Sequence, residues 1–118
     1  MNLDHLLYEA KREVLYLCES GYTPLPPDQV WAAGRDALAA LRTMVYTLQE
    51  GGFATDHEAK IADHVAYVLC GGDLSEPGWV PEQYILDLEL AAFIELCHEP
   101  KTHERIQHML ETNKPLRN

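Results

Sequence analysis

Apolar residues recur at three- and four-residue intervals through almost the whole chain, and nowhere do they alternate with period two over a strand's length. Side chains at that spacing share one face of an α-helix, so the chain must fold as helices that each bury one stripe. The first stripe runs Leu3, Leu6, Leu7, Ala10, Val14, Leu17 and Cys18, and Gly21 stops it. Thr23-Pro24-Leu25-Pro26-Pro27 follows as a stiff extended connection. Each proline there fixes its own φ and biases the preceding residue away from the helix.

Asp28 is placed to cap a second helix with apolar positions at Trp31, Leu38, Leu41, Val45 and Leu48. Gly34 weakens its beginning, which leaves residues 36–50 as the firm part before Gly51-Gly52 ends it. Thr55-x-x-Glu58 then reads as a capping box, in which the hydroxyl accepts from a first-turn N–H while the carboxylate reaches back to the cap. It opens a third helix carrying Ile61, Val65, Val68 and Leu69, which Gly71-Gly72 terminates. Pro77-Gly78 predicts a turn and Pro81 a first-turn proline, followed by a fourth stripe of Tyr84, Ile85, Leu88, Ala91, Ala92 and Leu96. Glu99-Pro100 restarts the chain into a short fifth helix with Ile106, Met109 and Leu110, ending before Asn113. The expected fold is all-α: about five helices in a small orthogonal or bundle-like array, no sheet, one helical domain over 1–118.

Composition bounds the function. The 118 residues suit one domain, and a globular chain of that size buries roughly two-thirds of its unfolded surface. The net charge of −10 excludes the basic footprint of a nucleic-acid or anionic-membrane binder. No apolar run reaches the length of a membrane span, and Met1-Asn2-Leu3-Asp4 lacks the basic start of a secretory signal. Three widely spaced cysteines, Cys18, Cys70 and Cys97, form neither a disulfide framework nor a zinc pattern, which makes a reducing cytoplasm the expected location. The charge is uneven. Residues 1–54 carry seven acids and four bases, 55–97 nine acids and one base (Lys60), and 98–118 three acids and four bases. Solvated helix faces account for an acidic middle of this kind; a docking contact between it and the basic tail is the sharper alternative.

The candidates for chemistry resolve into structural readings. Glu95-Leu-Cys-His98 has the i, i+3 spacing with which di-iron bundles point a carboxylate and an imidazole at a metal pair. Such a site needs a second E-x-x-H, and neither Glu104-x-x-Gln107 nor Glu58-x-x-Ile61 supplies it. His57 and His64 lie seven apart, beside Asp56, Glu58 and Asp63, without a tight metal motif, and read as polar-face residues. Cys18, Cys70 and Cys97 fall on or beside apolar stripes and read as buried structural thiols. Gly51-Gly52 and Gly71-Gly72 lack the lysine and spacing of a phosphate loop and are explained as helix stops. Trp31, Trp79 and Tyr84 read as packing aromatics. No catalytic, cofactor-binding or metal-ligating residue is assigned.

One stretch is more specific than any of these motifs. Residues 82–89 (EQYILDLE), Ala92-Phe93, Glu99-Pro100-Lys101-Thr102, residues 105–110 (RIQHML) and Lys114-Pro115-Leu116-Arg117-Asn118 resemble the C-terminal end of a bacterial β-oxidation protein. The family is the fused 3-hydroxyacyl-CoA dehydrogenase/enoyl-CoA hydratase type. Residues 62–72 (ADHVAYVLCGG), 4–11 (DHLLYEAK) and 19–24 (ESGYTP) resemble it too, so the likeness spans nearly the whole chain and is loosest in 25–50. His98 and Cys70 depart from it, standing where the family tends to have small residues.

The resemblance implies a parent enzyme that oxidises a 3-hydroxyacyl-CoA with NAD and hydrates an enoyl-CoA in fatty-acid β-oxidation. It implies catalytic residues upstream of this segment, so none is carried over. The expected function is a non-catalytic C-terminal helical region that packs on the catalytic domains or mediates assembly with a neighbouring subunit. The parent's acyl-CoA is an implied partner, and Lys101, Arg105, Lys114 and Arg117 are the bases that would lie nearest its phosphates. The alternative is a stand-alone helical protein-interaction module.

Overall fold

The computed structural model describes residues 5–118. Leu3, the first position of the expected apolar stripe, and Asp4, the first residue of the expected family likeness, lie outside the described residues. Among those described, five helices form: α1 (Leu6–Glu19), α2 (Gly34–Glu50), α3 (Asp56–Leu69), α4 (Glu82–Cys97) and α5 (Pro100–Thr112). Between them run two short strands, β1 (Gln29–Ala32) and β2 (Gly78–Pro81). The fold is mostly α, but the expectation of no sheet is corrected.

The strands pair antiparallel with Gln29 opposite Pro81, Val30 opposite Val80, Trp31 opposite Trp79 and Ala32 opposite Gly78. A further bond from the Glu82 N–H to the Asp28 carbonyl (3.0 Å) extends the ladder to the start of α4. Asp28 therefore caps no helix and Trp31 belongs to no helical stripe. The two indoles meet edge to face, 5.4 Å between centroids at 73°, as cross-strand neighbours do. Pro77-Gly78 leads into a strand, and Pro81 is its last residue, with φ −57° and ψ 140°. An edge strand is where a proline costs no ladder bond.

Gly34 marks the change from strand to helix. Its φ of +76° suits glycine alone, and a Cβ there would lie 2.8 Å from the Pro77 nitrogen. Its N–H donates to the Cys70 carbonyl (3.0 Å), tying the start of α2 to the end of α3. Gly71 makes the matching close approach: a Cβ would meet Ala32 Cβ at 2.6 Å.

The core lies between α2 and α3, where Leu38, Ala66 and Cys70 are buried and Ala37, Leu41 and Tyr67 pack around them. α4 covers the other side of α3, and the Tyr84 hydroxyl donates to the Gly71 carbonyl (2.9 Å). This core is small, and α1 takes no part in it: every residue of α1 is exposed. Compactness is lost accordingly. The radius of gyration is 20.4 Å, against about 13.5 Å for a compact chain of this length.

Candidate functional site: a tail latch and uncovered helix faces

The most developed polar arrangement is built where the tail returns to the start of α3. α5 ends at Asn113, whose left-handed backbone (φ 55°, ψ 30°) reverses the chain. Residues 114–118 then run back to the Thr55 cap. Arg117 clamps Glu58: Nε donates to Oε1 at 2.8 Å and Nη2 to Oε2 at 3.0 Å, and Nη2 also donates to the Phe53 carbonyl. The planar guanidinium suits this two-point grip.

Glu58 also completes the capping box. The Thr55 N–H donates to its Oε2 (2.8 Å), and its own N–H donates to Thr55 Oγ1 (3.2 Å). The Arg117 hydrogen bond first, then the bond from the Thr55 backbone, hold the Glu58 carboxyl down at about 2. The Thr55 hydroxyl donates to the main-chain oxygen of Asn118 (2.9 Å). The Asn118 side chain accepts from Arg105 Nε (2.7 Å) and donates to Glu104 Oε2 (2.8 Å) and to the Lys101 carbonyl (3.1 Å). The acidic middle and the basic tail thus meet within one chain. Lys60, the one base of the middle, pairs with Glu99 just before α5.

His57 sits beneath this latch. It is buried, and its Nε2 lies 3.2 Å from Thr102 Oγ1 of α5. Burial, then the nearby charges of Arg105 and Lys101, lower its pKa. The polar-face reading of His57 is therefore corrected: it faces α5. His64 instead faces α4, 3.8 Å from Glu95 Oε1, so the two imidazoles do not converge. His98 caps the end of α4 and is exposed, apart from that pair. Among the described residues, no group of three or more His, Cys, Asp or Glu side chains is arranged to hold a metal ion.

The cysteines divide. Cys70 is buried, and burial pushes its thiol up; Cys97 is half-buried. Cys18 is exposed, which corrects its reading as a buried thiol, because among the described residues nothing covers α1. Gly71 backs onto Leu74 and Ala32, and Gly72 onto Tyr67 and Leu88, whereas a Cβ on Gly52 would meet open space. Of the four tail bases, Arg117 and Arg105 are engaged by Glu58 and Asn118.

The other outstanding feature is apolar. An open groove between α2 and α3 is lined by Leu41, Met44, Val45, Ile61 and Leu69, and by Arg105 of α5. A second, between α3 and α4, is lined by Val65, Val68, Ile85, Phe93 and Leu96. α1 adds Leu7, Tyr8, Val14 and Leu15, all exposed. The total accessible surface is 9194 Å², where a compact protein of this mass shows about 6,500 Å². Large apolar side chains thus stay exposed on several helices, as they do on an element that meets another surface.

Over all 118 residues the chain is 39% identical to a Bacillus subtilis (strain 168) protein whose name reads "Probable 3-hydroxyacyl-CoA dehydrogenase". The chain spans 15% of that relative's length. No protein-family model and no solved structure matches it. Among the described residues, no helix is long and apolar enough to cross a membrane.

Proposed function

We propose that the chain is the non-catalytic C-terminal helical region of a 3-hydroxyacyl-CoA dehydrogenase-type enzyme of β-oxidation, in the cytoplasm. Its role is to pack uncovered helix faces on the catalytic domains or on a neighbouring subunit. Similarity over the whole chain to a relative of which it spans 15% supports a part of a larger enzyme. The observation that carries the reading is the surface. The excess of about 2,700 Å² on this chain over a compact protein is enough for one side of a permanent interface, which buries roughly 2,000–5,000 Å² over both partners. The fused enoyl-CoA hydratase, the NAD of the dehydrogenase step and the acyl-CoA substrate belong to the same proposal, and all of them act outside these 118 residues.

An antibody raised against the chain tests this in extracts of the source cells. The expected result is one band several times heavier than 13.4 kDa, co-purifying with NAD-dependent oxidation of a 3-hydroxyacyl-CoA. A band at the mass of the chain itself overturns the reading and leaves a stand-alone interaction module in its place.

A further inference from the structure

α4 carries two apolar stripes. The inner one, Ile85, Leu88, Ala92 and Leu96, faces α3 and is half-buried. The second, Leu86, Leu90, Phe93, Ile94 and Cys97, recurs at the same helical spacing on an outer face rotated away from the first, with Phe93 at its edge also lining the α3–α4 groove. Leu90 and Phe93 are 58% and 57% exposed and Cys97 is half-buried, so among the described residues this stripe is left mostly uncovered. A helix apolar on both sides is built to be enclosed on both.

The rim of the outer stripe has one sign. At 100° per residue Glu82 and Glu89 flank it on one side and Asp87 on the other. α4 contains no lysine or arginine, and among the described residues none of these three carboxylates has a cationic partner. Asp87 accepts only from Gln83 Nε2 (2.8 Å).

We infer that the outer face of α4 docks on a protein surface with an apolar centre flanked by lysine or arginine. This deepens the proposed function and rests on it for the existence of a partner, while the chemistry of that partner comes from α4 itself. Two α4 faces from copies of this chain would bring six rim carboxylates together with no base between them. An anionic lipid surface would repel the same rim. An apolar patch with basic flanks neutralises it and covers the stripe in one contact.

The test uses the full 118-residue chain and a synthetic helical peptide bearing a leucine stripe flanked by lysines. The expected result is saturable one-to-one binding that weakens with salt, with new hydrogen-exchange protection confined to residues 82–97. Leu90→Asn weakens it at least tenfold, as does the triple change E82Q/D87N/E89Q, while Leu110→Asn on α5 leaves it unchanged. Unaltered far-UV circular dichroism shows that these surface variants fold. Equal binding of a glutamate-flanked version overturns the inference. So does protection outside α4, or protection of α4 that rises with the concentration of the chain alone. None of these outcomes depends on the mass of the native polypeptide, so the two readings fail separately.

Discussion

Arg117 reaches back to hold both carboxylate oxygens of Glu58, a residue 59 positions earlier that also caps its own helix. One carboxylate thereby closes the start of α3 and anchors the tail. Its folded-state pKa of about 2 lies below the ordinary 4.5, so the folded chain binds this proton more weakly than the unfolded chain does. The stabilisation is complete above pH 4.5 and is lost as pH falls toward 2. Thermal midpoints of the wild-type chain should drop across that window. Glu58→Gln should be less stable at neutral pH and show a shallower drop.

Thr55 serves the same junction from the other side, accepting from the Glu58 N–H and donating to Asn118. Thr55→Ala should cost about 1 kcal/mol or somewhat more, the usual loss for an N-cap hydroxyl. Thr55→Ser should recover most of it. Urea unfolding measures the cost, and faster amide exchange in residues 114–118 should accompany Thr55→Ala if the hydroxyl holds the tail.

His57 gives a second pH dependence in a different window. Burial and the charges of Arg105 and Lys101 depress its pKa from 6.5, so the folded state favours the neutral ring. Stability is full above pH 6.5 and declines as pH falls below it through the depressed folded value. The urea midpoint should therefore be lower at pH 5.5 than at pH 7.5. His57→Gln, which keeps a polar group for Thr102, should shrink that difference; an undiminished difference would place the titration elsewhere.

Gly34 and Gly21 offer a matched comparison, because both have φ near +77°: +76° and +78°. Alanine at Gly21 meets only open space and should cost about 1–2 kcal/mol from backbone strain alone. Alanine at Gly34 also drives a Cβ into the Pro77 and Glu76 backbone, so its cost should be clearly larger. Denaturant midpoints of the two variants decide this, and equal losses would show that the β2 approach yields freely.

The parts of the fold legible in the sequence were those set by near neighbours. The Thr55–Glu58 box was legible because both partners sit within one turn. The two strands were not, because four residues are too few to display a period, and their pairing joins Trp31 to Trp79 across the whole α2–α3 unit. Gly34 was legible as a disturbance and misread as a weak helix start; its reason is the approach of Pro77, which no local pattern records. The charge partition read first as solvated helix faces and offered contact between middle and tail only as the alternative, because the pairing of Arg117 with Glu58 depends on the reversal at Asn113. For α1 the stripe was readable and its lack of a covering surface was not, since a periodic pattern shows what wants burial and not what provides it.

The tail latch has a consequence for association. Its bonds join residues 53–58 to α5 and to residues 117–118, and none of them involves α1 or the outer face of α4. The start of α3, which backs α4, is therefore fastened before any partner arrives, whereas α1 has no buried residue to hold it. Docking then orders little beyond surface rotamers, so most of the contact energy is left to show as affinity. On the α4 side, a preset template of this kind meets its counterpart as a rigid body.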